Sequence, residues 1–204
     1  MANNTSFTLW LDSGRTVPFT GTLTISHEAD LSDNPYDTVL YLGSNTADRQ
    51  LQTVSSPGVG DITITPTDRL NDWAVSTAYT SGDLVEPTTP NTYAYRCTTA
   101  GTSDGVTEPT WPTGAIGDTV VDGTVVWTLI GKRHEVTEVT LGATAPDLGT
   151  NTPGDPLTIG TTILSETSTE IHIRLINAVT TVQDNTGQAQ LSLHINPCKE
   201  TEVV

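Results

Sequence analysis

Apolar and polar positions alternate with a period of two in short runs along this chain, and clusters of Gly, Pro, Asp and Asn separate the runs, a pattern that predicts strands and turns. Residues 7–11 (FTLWL) and 18–26 (PFTGTLTIS) read as strands, with Asp12, Ser13 and Gly14 as the turn between them. Further strands are predicted at 38–43 (TVLYLG), 49–55 and 61–67 (DITITPT), with Ile62 and Ile64 on one face and Pro66 marking a strand end or an edge. Later in the chain, 136–141 and 157–163 are strand candidates. Residues 170–177 (EIHIRLIN) and 190–195 (QLSLHI) set Ile171, Ile173 and Leu175, and then Leu191, Leu193 and Ile195, on one face, so they read as half-buried antiparallel strands. A turn over 184–187 would join these two into a terminal hairpin, leaving 196–204 as an extended tail. No stretch of ten residues repeats its apolar positions at helical spacing, so helix is expected to be nearly absent.

Composition strengthens the β reading. Of 204 residues 40 are Thr, whose branched β-carbon suits a pleated strand, while 17 Gly and 12 Pro supply turns. Six of the eleven aromatic residues, however, fall within 73–131: Trp73, Tyr79, Tyr93, Tyr95, Trp111 and Trp127. The flanks are Thr-rich and poor in aromatics, with about ten strands and a turn signal roughly every ten residues. The expected architecture is therefore all-β: a Thr-rich antiparallel β-sandwich, immunoglobulin-like or related, formed by 1–72 plus 132–204, with 73–131 inserted as a small module. Inside the module, Gly82-Asp83 turns the chain into a strand at 84–86, residues 92–98 (TYAYRCT) form another, and Asp122-Gly123 lies between strands 119–121 and 124–129 as a hairpin turn with both central residues at positive φ. A three- to four-stranded unit results, with Trp73, Tyr79 and Trp127 as its core.

Charge and candidate chemistry narrow the function. A formal charge of −16 with only eight Lys and Arg argues against a nucleic-acid partner, because phosphate contacts need clustered cations. The first fourteen residues have neither the basic nor the apolar region of a secretory signal, and no run of eighteen apolar residues could span a bilayer, so synthesis in the cytoplasm and no membrane partner are expected. Cys97 and Cys198 are about a hundred residues apart and read as free thiols without zinc-ligand spacing. Asp30, Asp33 and Asp37 cluster in a loop but match no cation-binding motif, so no metal or cofactor is expected. His27, His134, His172 and His194 are the only histidines. None accompanies a nucleophile motif, and His172 and His194 are expected as solvated neighbours on adjacent strands. The chain reads as a non-enzyme.

The order Trp73, Tyr79, Gly82-Asp83, Val85, Tyr93, Gly101, Pro109, Trp111, Trp127 resembles the small chitin-binding-type carbohydrate modules of bacterial chitinases. It is more closely similar to the version of that module that recurs in structural proteins of tailed bacteriophages, through GDLVEPTTPNTYAYRCTTAGTS, TEPTWPT and DGTVVWT. The flanks resemble phage virion domains in VLYLGS and in PLTIGTTI with EIHIRLINA. The resemblance implies a virion protein, foremost a capsid decoration (cement) protein on the major capsid protein. It further implies a homo-oligomer, by analogy a trimer. The alternative it implies is a tail, baseplate or fibre component whose module binds host-surface glycan. Sugar binding by such modules uses exposed aromatic faces. The two adjacent aromatics of the chitinase modules are replaced here by Arg96-Cys97-Thr98-Thr99, which leaves Trp111, Tyr93 and Tyr95 as the candidate stacking residues. Trp111, between Pro109 and Pro112, has two readings: a stacking platform, or a residue that closes the module's core.

Overall fold

The computed structural model describes residues 5–23, 34–177 and 190–203. Among them are seventeen strands: β1 (Thr8–Trp10), β2 (Tyr36–Gly43), β3 (Arg49–Thr53), β4 (Thr63–Asp68), β5 (Asn71–Asp72), β6 (Ala78–Tyr79), β7 (Leu84–Glu86), β8 (Tyr93–Thr99), β9 (Gly101–Thr102), β10 (Thr119–Asp122), β11 (Val125–Lys132), β12 (Val139–Gly142), β13 (Leu157–Thr158), β14 (Thr162–Leu164), β15 (Ser168–Leu175), β16 (Leu191–Ile195) and β17 (Cys198–Glu202). Among the described residues the only helical pieces are short 3-10 turns at Val136–Glu138 and Ala145–Gly149. The fold is all-β and sandwich-like with several antiparallel sheets, as alternation and Thr content imply.

The chain divides into two compact units, one formed by 1–67, 136–178 and 193–204, the other by 68–135 and 179–192. In the first, a four-stranded sheet runs β1-β2-β15-β12, and three-stranded sheets run β14-β3-β17 and β13-β4-β16. Period-two patterning works as expected in its long strands: Leu40 and Leu42 of β2 and Ile171 and Ile173 of β15 are buried, with Ile171 opposite Leu40. On the polar side Arg174 lies opposite Asp37 and makes a two-pronged ion pair with it at 2.7 Å for each bond, which holds the Asp37 carboxyl below its usual range.

Several expectations are corrected here. Residues 170–177 and 190–195 form no hairpin: β15 pairs with β2 and β12, whereas β16 belongs to the β4 sheet, so His172 and His194 are on different sheets. His172 instead contacts Glu170 at 2.9 Å. The expected tail contains β17, paired to β3 along its full length and tied to the N-terminal segment by Glu200, which accepts from Ser6 N (2.6 Å), Ser6 Oγ (3.0 Å) and Thr5 Oγ1 (2.9 Å). Residues 157–163 split into β13 and β14, which serve different sheets. Residues 136–138 form a 3-10 turn before β12. Pro66 neither ends β4 nor lies at an edge; β4 is central, and β13 covers only Thr63 and Ile64, so the missing N–H of Pro66 lies beyond that pairing. The strand expected at 18–26 appears as a single bridge, Trp10 to Pro18, within a longer turn anchored by Asp12, while 24–26 are outside the described residues. Asp30, Asp33, His27 and the turn at 184–187 are likewise outside them.

The second unit is larger than a three- to four-stranded module. Its sheet has five strands in the order β10-β11-β8-β7-β5, with β5 parallel to β7, and a separate β6-β9 ribbon. Both faces of β8 are covered. Tyr95 and Cys97 join one core with Trp73, Tyr79, Val85, Val125, Trp127 and Leu129, and Ala94 joins a second with Leu70, Leu84 and Ile130. Two register shifts between β8 and β11 mark irregularities along this pairing.

Candidate functional site

The aromatic core of the second unit is built around a buried carboxyl group. Asp122, 3% exposed, accepts from Trp73 Nε1 at 2.7 Å and from Trp127 Nε1 at 3.0 Å through one oxygen, and from the backbone N–H of Asp104 at 2.8 Å through the other. A buried indole N–H needs an acceptor, and one carboxyl group serves two indoles from opposite ends of the module. The turn geometry makes this possible. Asp122 pairs with Val125, so the two-residue loop is Gly123-Thr124, and of these only Gly123 has positive φ (+59°). The expected Asp-Gly turn is therefore shifted by one residue: Asp122 is the last residue of β10, with its side chain inside, and Gly occupies the first central position. A Cβ at Gly123 would crowd Thr102 O and come within 2.9 Å of Asp104 N.

Around this centre the rings interlock. Tyr79 meets Trp127 edge-on at 4.7 Å and 77°, and its hydroxyl accepts from Ala74 N at 2.9 Å. Ser103, also buried, donates to Ala74 O at 2.6 Å and accepts from Thr77 N at 3.0 Å, closing the loop before β6. Burial pushes the Tyr79 and Tyr95 hydroxyls and the Cys97 thiol up from their ordinary values.

Of the three candidate stacking residues, Tyr95 is corrected: it is 0% exposed and offers no ring face, because β8 is central and its Tyr95 side lies under Trp111. Its hydroxyl donates to Pro112 O and accepts from Asn91 Nδ2, both at 2.8 Å. Trp111 is half-buried, 4.4 Å from the Tyr95 ring and 5.8 Å from that of Trp127, and its indole N–H donates to Glu108 Oε1 at 2.8 Å. It packs on the core as a cover. Tyr93 is half-buried with Lys132 Nζ 3.8 Å above its ring centre, and Thr92 beside it has φ +68°, a left-handed conformation that costs a branched residue energy. Trp73, Tyr79 and Trp127 all lie inside the core.

Sequence reasoning missed Glu108 and Asp122. Glu108 accepts from Trp111, from Thr88 N at 3.0 Å and from the Thr88 hydroxyl, so it pins the loop 104–117 to the loop before β8. Burial pushes the Glu108 carboxyl up, but these hydrogen bonds outweigh it and hold the group below its usual value. The available signal was indirect: four tryptophans in a chain so poor in other aromatics need acceptors, and acids lie near each in sequence. Arg133 is held between Glu86 and Asp68 (2.9 Å), with Glu135 at 3.2 Å, and burial pushes Glu86 up. In the first unit, a shallow polar cavity of about 310 Å³ is lined by Leu141, Thr150, Asn151, Thr152, Asp155 and Pro156. Among the described residues no cluster of three His, Cys, Asp or Glu could hold a metal ion, and Cys97 and Cys198 form no disulfide. Comparison with protein-family models, with curated proteins and with solved structures returns no match.

Proposed function

We propose that the chain is a non-enzymatic structural protein of a tailed-phage virion, a decoration protein that binds and stabilises the outer face of the major capsid shell. The observation that carries this reading is the use of the module's aromatics. The phage-type module at 73–131 turns Trp73, Tyr79, Tyr95 and Trp127 inward and covers them with Trp111, so its signature residues build a rigid body. A β unit whose aromatic rings and buried carboxyl group are spent on its own core suits a protein that works by surface contact. Shells assembled without the protein should then lose thermal or osmotic resistance and regain it when the purified chain is added back. Unchanged resistance, with the protein missing from purified shells, would sink the reading.

Half-burial of Tyr93 and Trp111 favours a second reading, a tail, baseplate or fibre component that binds host-surface glycan. A glycan array with the full chain and with Trp111→Ala separates the two. Binding lost on substitution supports the glycan reading, and an array with no bound sugar supports the purely structural one.

A further inference from the structure

We propose that the outer edge of β10 is a strand-addition site for an extended, basic segment of a partner protein. Leu129 N donates to Asp118 O at 2.8 Å, and Asp122 pairs with Val125 across the two-residue turn, so the backbone groups of the even residues 118, 120 and 122 face β11. Those of Thr119 and Val121 consequently face away. Among the described residues no hydrogen bond uses them, and β10 ends its sheet. Two N–H donors and two carbonyl acceptors spaced two residues apart form the template one added strand needs.

Although β10 is short, three usual protections of an edge are absent from it. Its four residues, Thr-Val-Val-Asp, include no Lys and no Pro, its pairing to β11 carries no bulge, and Val121 is 70% exposed. The strand cannot sag away from an incoming partner, because Val120 packs on the aromatic core and Asp122 is held by two indoles.

Charge selects the occupant. A second copy of this chain, paired antiparallel about Val120, would satisfy all four groups but would set Asp118 directly opposite Asp122 of the other copy at both ends, and each chain carries −16. A strand of another protein with Lys or Arg facing the exposed Asp118 meets attraction in the same geometry. The inference does not depend on where the protein assembles.

The test uses the full ¹⁵N-labelled chain and a blocked peptide, Lys-Thr-Val-Thr-Val-Lys, as probe. Expected are shifts confined to the amides of residues 118–123, with hydrogen exchange slowed at Thr119 and Val121. Val121→Pro, which removes an outward N–H that no internal bond uses, should weaken binding about tenfold. Asp118→Asn keeps the side-chain oxygen that accepts from Ala115 N and should weaken the Lys peptide several-fold, leaving a Gln-flanked version unaffected. Spectra of both variants should match the parent away from β10. No shift at these amides, shifts that survive Val121→Pro, or equal binding of a Glu-flanked peptide would overturn the proposal. Concentration-dependent broadening of Thr119 and Val121 without peptide would also overturn it, in favour of a second copy.

Discussion

Asp122 is the residue on which the second unit depends most. Removing it by Asp122→Ala leaves two indole N–H groups without an acceptor inside a closed aromatic core, a cost of about 2–4 kcal/mol if each orphaned donor counts for one to two. Chemical denaturation should show the loss, with a red shift of tryptophan emission in the native baseline. Asp122→Asn retains one acceptor oxygen and should cost less; equal stability of all three proteins would refute the role. Gly123 supports the same arrangement from the backbone. Gly123→Ala meets both a left-handed φ and crowding against Thr102 and Asp104, so a loss of about 1–3 kcal/mol is expected in the same assay. Cys97 is 0% exposed and its thiol is pushed up by burial and then by Asp83, so it should resist a thiol reagent in the native protein and react fully in denaturant.

At the scale of elements, the loop 104–117 has no strand of its own and is held by side chains, chiefly Glu108. A carboxyl group whose folded pKa is depressed contributes stability above its unfolded value, near 4.5, and loses that contribution as pH falls through the folded value. Acidification below about pH 4.5 should therefore loosen Trp111 before the rest of the sheet, visible as a change in tryptophan emission that precedes loss of the far-ultraviolet β signal. Glu108→Gln should abolish that early step; an early step that persists would assign it to another acid. Glu200 acts similarly in the first unit. Burial pushes its carboxyl up, and hydrogen bonds from Ser6 and Thr5 more than reverse this, so the contact between the N-terminal segment and β17 should weaken over the same acid range.

For the whole molecule, net charge is the property with the widest reach. At pH 7 the chain carries −16, and its isoelectric point near 4.2 predicts a solubility minimum there, together with salt-sensitive binding to any basic partner at neutral pH. Light scattering across pH 3.5–7 would reveal the minimum. How far the sequence reached follows from the range of each interaction. Alternation is local, so β2, β7, β15 and the β10–β11 pair were legible as strands, with bounds within three residues of those observed, and the lack of helical spacing pointed away from long helices. β17 was not, because Cys-Lys-Glu-Thr-Glu has no apolar face and its place comes from backbone pairing to β3, 145 to 153 residues earlier, and from the bonds of Glu200. β5 was hidden for the same reason, being two polar residues in a parallel pairing. Tyr95 and Ala94 are adjacent and both fully buried, which no period-two pattern expresses; only the central position of β8 decides it. Sequence by itself determined the all-β class, the charge and the aromatic signature of 73–131, since each resides in single residues or near neighbours. Tertiary structure alone decided that Tyr95 joins the core under Trp111, which strand edge is left open and what Asp122 is for, because those depend on contacts between residues distant in the chain, such as Trp73 and Asp122, 49 positions apart.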